Sequence, residues 1–178
     1  MEKATIAIGD VHGLDLWRDV VLLLGNHDLH YFCEDACVGI RFDMEIAADA
    51  SKFFLGNIHL FQYAFQDGEC LFTHAGVSQL WFDYDFCGDV SRSVAEQLNN
   101  PAADHVPALL RVGYARGGRR GDTGGIFWVD KSELEEPLHG FTQIVGHNRV
   151  AEVTEHTGPG GGKVVFCDCL RNGLYLYI

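Results

Sequence analysis

Residues 4–13 read Ala4-Thr5-Ile6-Ala7-Ile8-Gly9-Asp10-Val11-His12-Gly13. A short apolar run halts at a glycine and then offers a carboxylate and an imidazole. The run predicts a buried strand over 4–8. Polar groups just past the C-terminal end of such a strand are where open α/β sheets place their sites. Asp10 and His12 stand two apart, so an extended backbone sets them on one face. Alone, the motif is as compatible with an ordinary turn as with a site.

The pattern recurs along the chain. A second apolar run over 21–24 predicts a buried strand and leads into Gly25-Asn26-His27-Asp28. Residues 58–65 and 69–72 flank Gln66-Asp67-Gly68, a strong hairpin signal. The second arm of that hairpin runs into Thr73-His74-Ala75-Gly76. Residues 142–145 predict a strand that leads into Gly146-His147-Asn148. Strand ends carrying Asp, His and Asn gather oxygen and nitrogen donors at one sheet edge, and such a mixture suits Mn, Fe or Zn. The adjacent glycines let the backbone turn sharply and let a ligand come close. His74 by itself is more often a satisfied histidine than a ligand, and a Gly-His pair is mostly a turn. The ordered set weighs towards a metal site.

The remaining chain predicts an α/β protein. Residues 14–20 have a weak helical pattern, and 29–50 are helical or mixed. Helices are expected over 78–82, 89–98 and 102–110, with Asp89 or Ser91 capping the middle one. Residues 114–125 form a loop, 126–129 a strand, and 163–167 with 174–178 a final hairpin around Arg171-Asn172-Gly173. No repeat or linker divides the chain, so residues 1–178 are expected to form one domain.

The formal charge is −12 over 178 residues. An acidic surface argues against a nucleic-acid polymer, whose binding needs clustered Lys and Arg, and against an anionic membrane. No apolar run approaches the roughly 18 residues that span a bilayer. Gly9-Asp10 interrupts the first apolar run too early for a signal peptide, so a cytoplasmic location is expected. The six cysteines then read as reduced thiols. His27, His30, Cys33 and Cys37 lie at helix-like spacing and admit a structural zinc site, with small core thiols the simpler reading of the two cysteines. Cys167, Cys169, Trp17, Trp81 and Trp128 read as core. Arg111, Arg116, Arg119 and Arg120 crowd one glycine-rich stretch and form a local anion attractor. Equally, that stretch reads as a solvated loop, and its glycines would suit a lid.

The four motifs in this order resemble the calcineurin-like metallophosphoesterases, in the branch holding the Ser/Thr protein phosphatases and the symmetrical diadenosine tetraphosphatases. The resemblance runs from Ile6 to about Val150. It implies a four-layer αββα sandwich with two mixed β-sheets and two divalent metal ions, manganese foremost, with Fe, Zn or Ni as alternatives. Asp10 and His12 would hold the first metal. Asn26, His74 and His147 would hold the second. His27 would act as general acid or phosphate contact, with Asp28 beside it in the same catalytic motif. Arg116, Arg119 and Arg120 lie where relatives supply a phosphate-binding arginine. The implied reaction is attack of metal-activated water on a phosphorylated small molecule, nucleotide or phosphoprotein.

One family motif is missing. Relatives carry Gly-Asp-x-x-Asp between the first two motifs, and its first Asp bridges the metals. Here only residues 14–24 separate Gly13 from Gly25. A crossover between parallel strands needs a dozen residues or more. Either a segment near 18–22 is omitted from this chain, the favoured reading, or it has been lost. In the second case Asp15, Asp19 or Asp28 would be a poor substitute for the bridging carboxylate. A degenerate metal- or phosphate-binding module without catalysis is the alternative reading.

Overall fold

The computed structural model describes residues 6–7, 20–36 and 43–178, with side chains from residue 20 onward. In chain order its regular elements are β1 (Ile6–Ala7), β2 (Leu22–Leu23), α1 (Asn26–Leu29), α2 (Ala47–Asn57), β3 (Phe61–Gln62), β4 (Ala64–Asp67), β5 (Cys70–Thr73), α3 (Val94–Asn99), α4 (Val106–Leu109), β6 (Thr142–Arg149), β7 (Thr154–Thr157), β8 (Lys163–Asp168) and β9 (Leu176–Tyr177). Short 3₁₀ and π-helical turns lie between them.

A five-stranded mixed sheet in the order β4-β5-β6-β8-β7 organises the chain. Its three inner strands run parallel, and each outer strand is antiparallel to its neighbour. β2 and β3 form a small parallel pair, and β1 pairs antiparallel with β9. The architecture is therefore mixed α/β, as expected. Inner strands of such a sheet are covered on both faces and alternate between two cores. Val145, Val164 and Phe166 pack on one side with Ala75, Val129 and Leu134. Ile144, Val165 and Cys167 pack on the other, with Phe72 and Leu176 against them. A larger cluster joins Leu24 and Leu29 to Leu71, Trp81, Phe82, Phe86, Leu98, Ile126 and Phe127. Trp81 satisfies its indole N–H by donating to the Ala108 carbonyl at 3.1 Å.

One buried polar residue fixes the chain just past β5. Gln143 on β6 is fully buried; its Oε1 accepts from the Val77 N–H at 2.7 Å and its Nε2 donates to the Val77 carbonyl at 2.8 Å. Gln143→Leu leaves both backbone groups without their partner, so urea unfolding is expected to report a loss of roughly 2 kcal/mol or more. A loss below about 0.5 kcal/mol would show that this clamp contributes little.

Several expectations change. The 58–65 arm breaks into a 3₁₀ turn at Ile58–Leu60, then β3, then β4. β3 serves β2 while β4 serves β5, because Asn99 intervenes: its Oδ1 accepts from Tyr63 N–H at 2.7 Å and Ala64 N–H at 3.0 Å. The hairpin itself closes at Asp67 and Cys70, so its loop is Gly68-Glu69 with Gly68 at φ 58°. Glycine at the first loop position takes that angle without strain. The expected strand over 126–129 is a buried turn, closed by Trp128 N–H and Val129 N–H on the Gly125 carbonyl at 2.9 and 3.0 Å. A short apolar run buried all round looks alike in either conformation. The final hairpin is not formed. β8 pairs with β6 and β7, and β9 with β1. The cap of α3 is Ser93, whose hydroxyl accepts from Glu96 N–H at 3.2 Å; Asp89 instead caps a turn through Ser91. The helix expected over 78–82 starts one residue later and becomes a π-turn at Trp81–Asp85; that over 102–110 contracts to α4. The strand over 21–24 contracts to β2, with Val21 40% exposed and only Leu24 deep in the core. Trp81 and Trp128 are buried as expected, while Trp17 lies outside the described residues. So do residues 14–19 of the helix expected over 14–20, and residues 18–19 of the step at 18–22. No helix among the described residues is long and apolar enough to cross a membrane.

Candidate metal centre

Three strand ends converge. β2 delivers Gly25 and Asn26, β5 delivers His74, and the far part of β6 delivers His147. Hydrogen bonds fix their mutual approach: Leu24 N–H reaches the Gln62 carbonyl at 2.9 Å, and Gly146 N–H reaches the His74 carbonyl at 3.0 Å. β6 loses register between Val145 and Arg149, and His147 there has φ 57°. A non-glycine residue in the left-handed region is uncommon, and such strain concentrates at functional positions. The irregularity re-aims His147 from the strict alternation of the strand. Its ring packs edge-on to Trp128 and lies 4.8 Å from that of His74, centroid to centroid.

Two donor atoms approach the same ring nitrogen of His74. His74 Nε2 lies 2.8 Å from Asn26 Oδ1 and 3.0 Å from His147 Nδ1. Ligands at right angles around a cation with bonds near 2.1 Å lie about 3.0 Å apart. The spacing therefore fits a shared cation as well as a shared proton. Gly25 permits the approach, since a Cβ there would stand 2.8 Å from His74 Cε1. Asn26 is buried. The Nε2 of His147 is buried and finds no hydrogen-bond partner among the described residues, a costly condition that native proteins retain mainly for a reason.

Electrostatics keeps both imidazoles neutral. Burial, then the neighbouring His27 and Arg116, pull the pKa of His74 down to about 3. Burial, then His74, Arg116 and His27, against an opposing pull from Asp130, bring His147 to about 3. A neutral imidazole with a free lone pair is the form that binds a metal. Among the described residues no three His, Cys, Asp or Glu side chains are grouped to hold a metal; two imidazoles and one carboxamide make this set. Asp10 and His12, the other expected ligands, lie outside the described residues.

His27 sits exposed on the short helix α1, close enough for its charge to lower both pKa values. Asp28 accepts the Gly25 N–H at 2.8 Å on Oδ2, which closes the turn that carries Asn26 and His27. Of the four clustered arginines, Arg116 alone is coupled to the two imidazoles. Its Nε pairs with Asp130 Oδ2 at 2.8 Å and its Nη2 donates to Asn148 Oδ1 at 2.5 Å. Arg111 is engaged by Asp85 at 2.6 Å. Arg119 and Arg120 are exposed, with no ion pair among the described residues. For the zinc alternative, Cys37 lies outside the described residues, and His30 instead packs its ring against Trp128.

Sequence reasoning gave no individual role to two members of this neighbourhood, Asn148 and Asp130. Asn148 is buried and also accepts the Lys131 N–H at 3.1 Å, so it joins the arginine loop to β6. Asp130 is held by Ser132, whose N–H and hydroxyl reach its Oδ1 at 3.0 and 2.9 Å. Burial raises its pKa, but these bonds, Arg116 and His147 outweigh that and hold it below the ordinary value. A signal existed: Asp130-Lys131-Ser132-Glu133 has the spacing of a capping box. Comparisons with protein families, with curated proteins and with solved structures found no match.

Proposed function

We propose that the chain is a metal-dependent phosphoesterase with the αββα sandwich of the calcineurin-like enzymes, acting on a phosphomonoester, nucleotide or phosphoprotein. The observation that carries this reading is the approach of His74 Nε2 to both Asn26 Oδ1, at 2.8 Å, and His147 Nδ1, at 3.0 Å. These three would hold one cation, and Asp10 with His12 a second. Such cations, when bound, supply charge neutralisation for the phosphoryl oxygens and activate the attacking water.

The chain's own groups supply the rest. His27, exposed beside the centre, hands a proton to the departing oxygen. Asp28 keeps the Gly25 turn closed and so holds His27 and Asn26 in place. Arg116 brings a fixed positive charge beside the imidazole pair, where phosphate charge would gather. In a protein of net charge −12 that local cation also sets where an anion docks. A second reading, a metal- or phosphate-binding module without turnover, draws on the missing Gly-Asp-x-x-Asp carboxylates.

Hydrolysis of p-nitrophenyl phosphate with Mn²⁺ separates the two. The wild type is expected to turn over only with metal, and His27→Ala and Asp10→Asn to lose on the order of a hundredfold or more in kcat. Absence of turnover in the wild type across Mn²⁺, Fe²⁺, Zn²⁺ and Ni²⁺ would favour the binding module.

A further inference from the structure

Glu133 is a residue that the site described above does not use, yet both arms of the Arg116 loop and the residue paired with Arg116 are bonded to it. Its Oε1 accepts the Ala115 N–H at 3.1 Å, at the start of the arginine loop. Its Oε2 accepts the Gly124 N–H at 3.2 Å, at the end of that loop. The same oxygen accepts the Asp130 N–H at 3.1 Å. One carboxylate thus ties the residue before Arg116, the far end of its loop, and the residue that pairs with its guanidinium. Three backbone donors on one carboxylate form charge-assisted bonds, the stronger kind. Gly113 is shaped to the same purpose: a Cβ there would collide with the Glu133 carboxylate. Between these anchors the loop bends at Gly117 and Gly121, with φ of 97° and 91°, and carries Arg119 and Arg120 outward.

We propose that Glu133 is the positioning residue for Arg116, holding its guanidinium beside His74 and His147 as the specificity-determining cation for a phosphoryl group. The effect on substrate rests on the phosphoesterase reading; the positioning itself does not. The loop's two arms are joined by backbone bonds from Tyr114 N–H to the Asp122 carbonyl at 3.0 Å and from Gly125 N–H to the Arg111 carbonyl at 2.9 Å, and short turns close on the Gly113, Tyr114 and Arg119 carbonyls. Those bonds hold the loop to itself, whereas Glu133 ties both arms to the segment carrying Asp130. Without Glu133, Asp130 and Asn148 would still be available to Arg116, but the loop would lose its ties at Ala115 and Gly124 to the segment carrying Asp130.

Two measurements on the full chain test this. The first is water exchange of the Arg116 Nε–H, read by ¹⁵N NMR without any metal or substrate. In the wild type it is expected to exchange about tenfold more slowly than that of exposed Arg119, and Glu133→Ala to abolish the difference. Glu133→Gln, which keeps one acceptor oxygen, restores part of it. Where Glu133→Ala does not fold, Gly113→Ala displaces the same carboxylate and gives the same readout. The second is p-nitrophenyl phosphate hydrolysis with Mn²⁺. Glu133→Ala is expected to raise KM about tenfold with kcat within about twofold. Added to Arg116→Ala, it should raise KM no further. Unchanged Arg116 exchange in Glu133→Ala, or a further rise in KM on the Arg116→Ala background, overturns the proposal. A wild type with Glu133-dependent Arg116 exchange but no turnover overturns the phosphoesterase reading and leaves the positioning role standing.

Discussion

His74→Ala is expected to lower kcat/KM for p-nitrophenyl phosphate with Mn²⁺ by on the order of a thousandfold. The size follows from where His74 stands. Its Nε2 is the atom that both Asn26 and His147 address, at 2.8 and 3.0 Å. Removing the ring therefore leaves two donors that no longer have a common point. Calorimetric titration with Mn²⁺ alone should show the loss of one binding event relative to the wild type. A fall of less than about tenfold in kcat/KM, with Mn²⁺ binding unchanged, would remove the three-residue centre from the reaction.

Acid is expected to destabilise the metal-stripped protein sharply, and the same imidazoles are responsible. His74 and His147 are brought from 6.5 to about 3 in the folded protein. The unfolded chain then binds more protons than the native state between those values. Stability contributed by this pair is complete above about pH 6.5 and drains away as pH falls towards about 3. A tenfold difference in proton affinity corresponds to about 1.4 kcal/mol, so one imidazole alone accounts for roughly 3 kcal/mol by about pH 4. Urea midpoints measured at falling pH after chelation should decline accordingly. His147→Asn, which keeps a side chain tolerant of the left-handed backbone, should flatten the decline. Parallel pH profiles for wild type and variant would show that other groups govern the acid response.

The candidate site was largely legible in local sequence, because ligand residues at strand ends are marked by the apolar runs and glycines around them. Asn26, His74 and His147 were each named by a short motif, and the structure brings all three together. Leu71, Ile144 and Val145 were readable as sheet core for the same reason. Other features depended on distant partners. Residues 126–129 are as apolar as a strand, yet no neighbouring strand among the described residues is presented to them, so their backbone closes on Gly125 instead. Residues 174–178 had the look of a hairpin arm, but β8 already has β6 and β7 on its two sides, and β9 turns to β1.

The pattern opens in residues 4–13, and what sequence alone determined is a chemistry: carboxylate, imidazole and carboxamide donors recurring after apolar runs. Residue types and periodicity are local properties, and local order is enough to display them. Which donors share a point, and which arginine stands beside it, were decided only by tertiary structure. Arg111, Arg116, Arg119 and Arg120 are indistinguishable by composition. Arg116 is set apart by Asp130, Asn148 and the Glu133 clamp. Those contacts join segments up to 32 residues apart, and a spacing of that kind becomes a distance only when the β6 strand end and the arginine loop pack together.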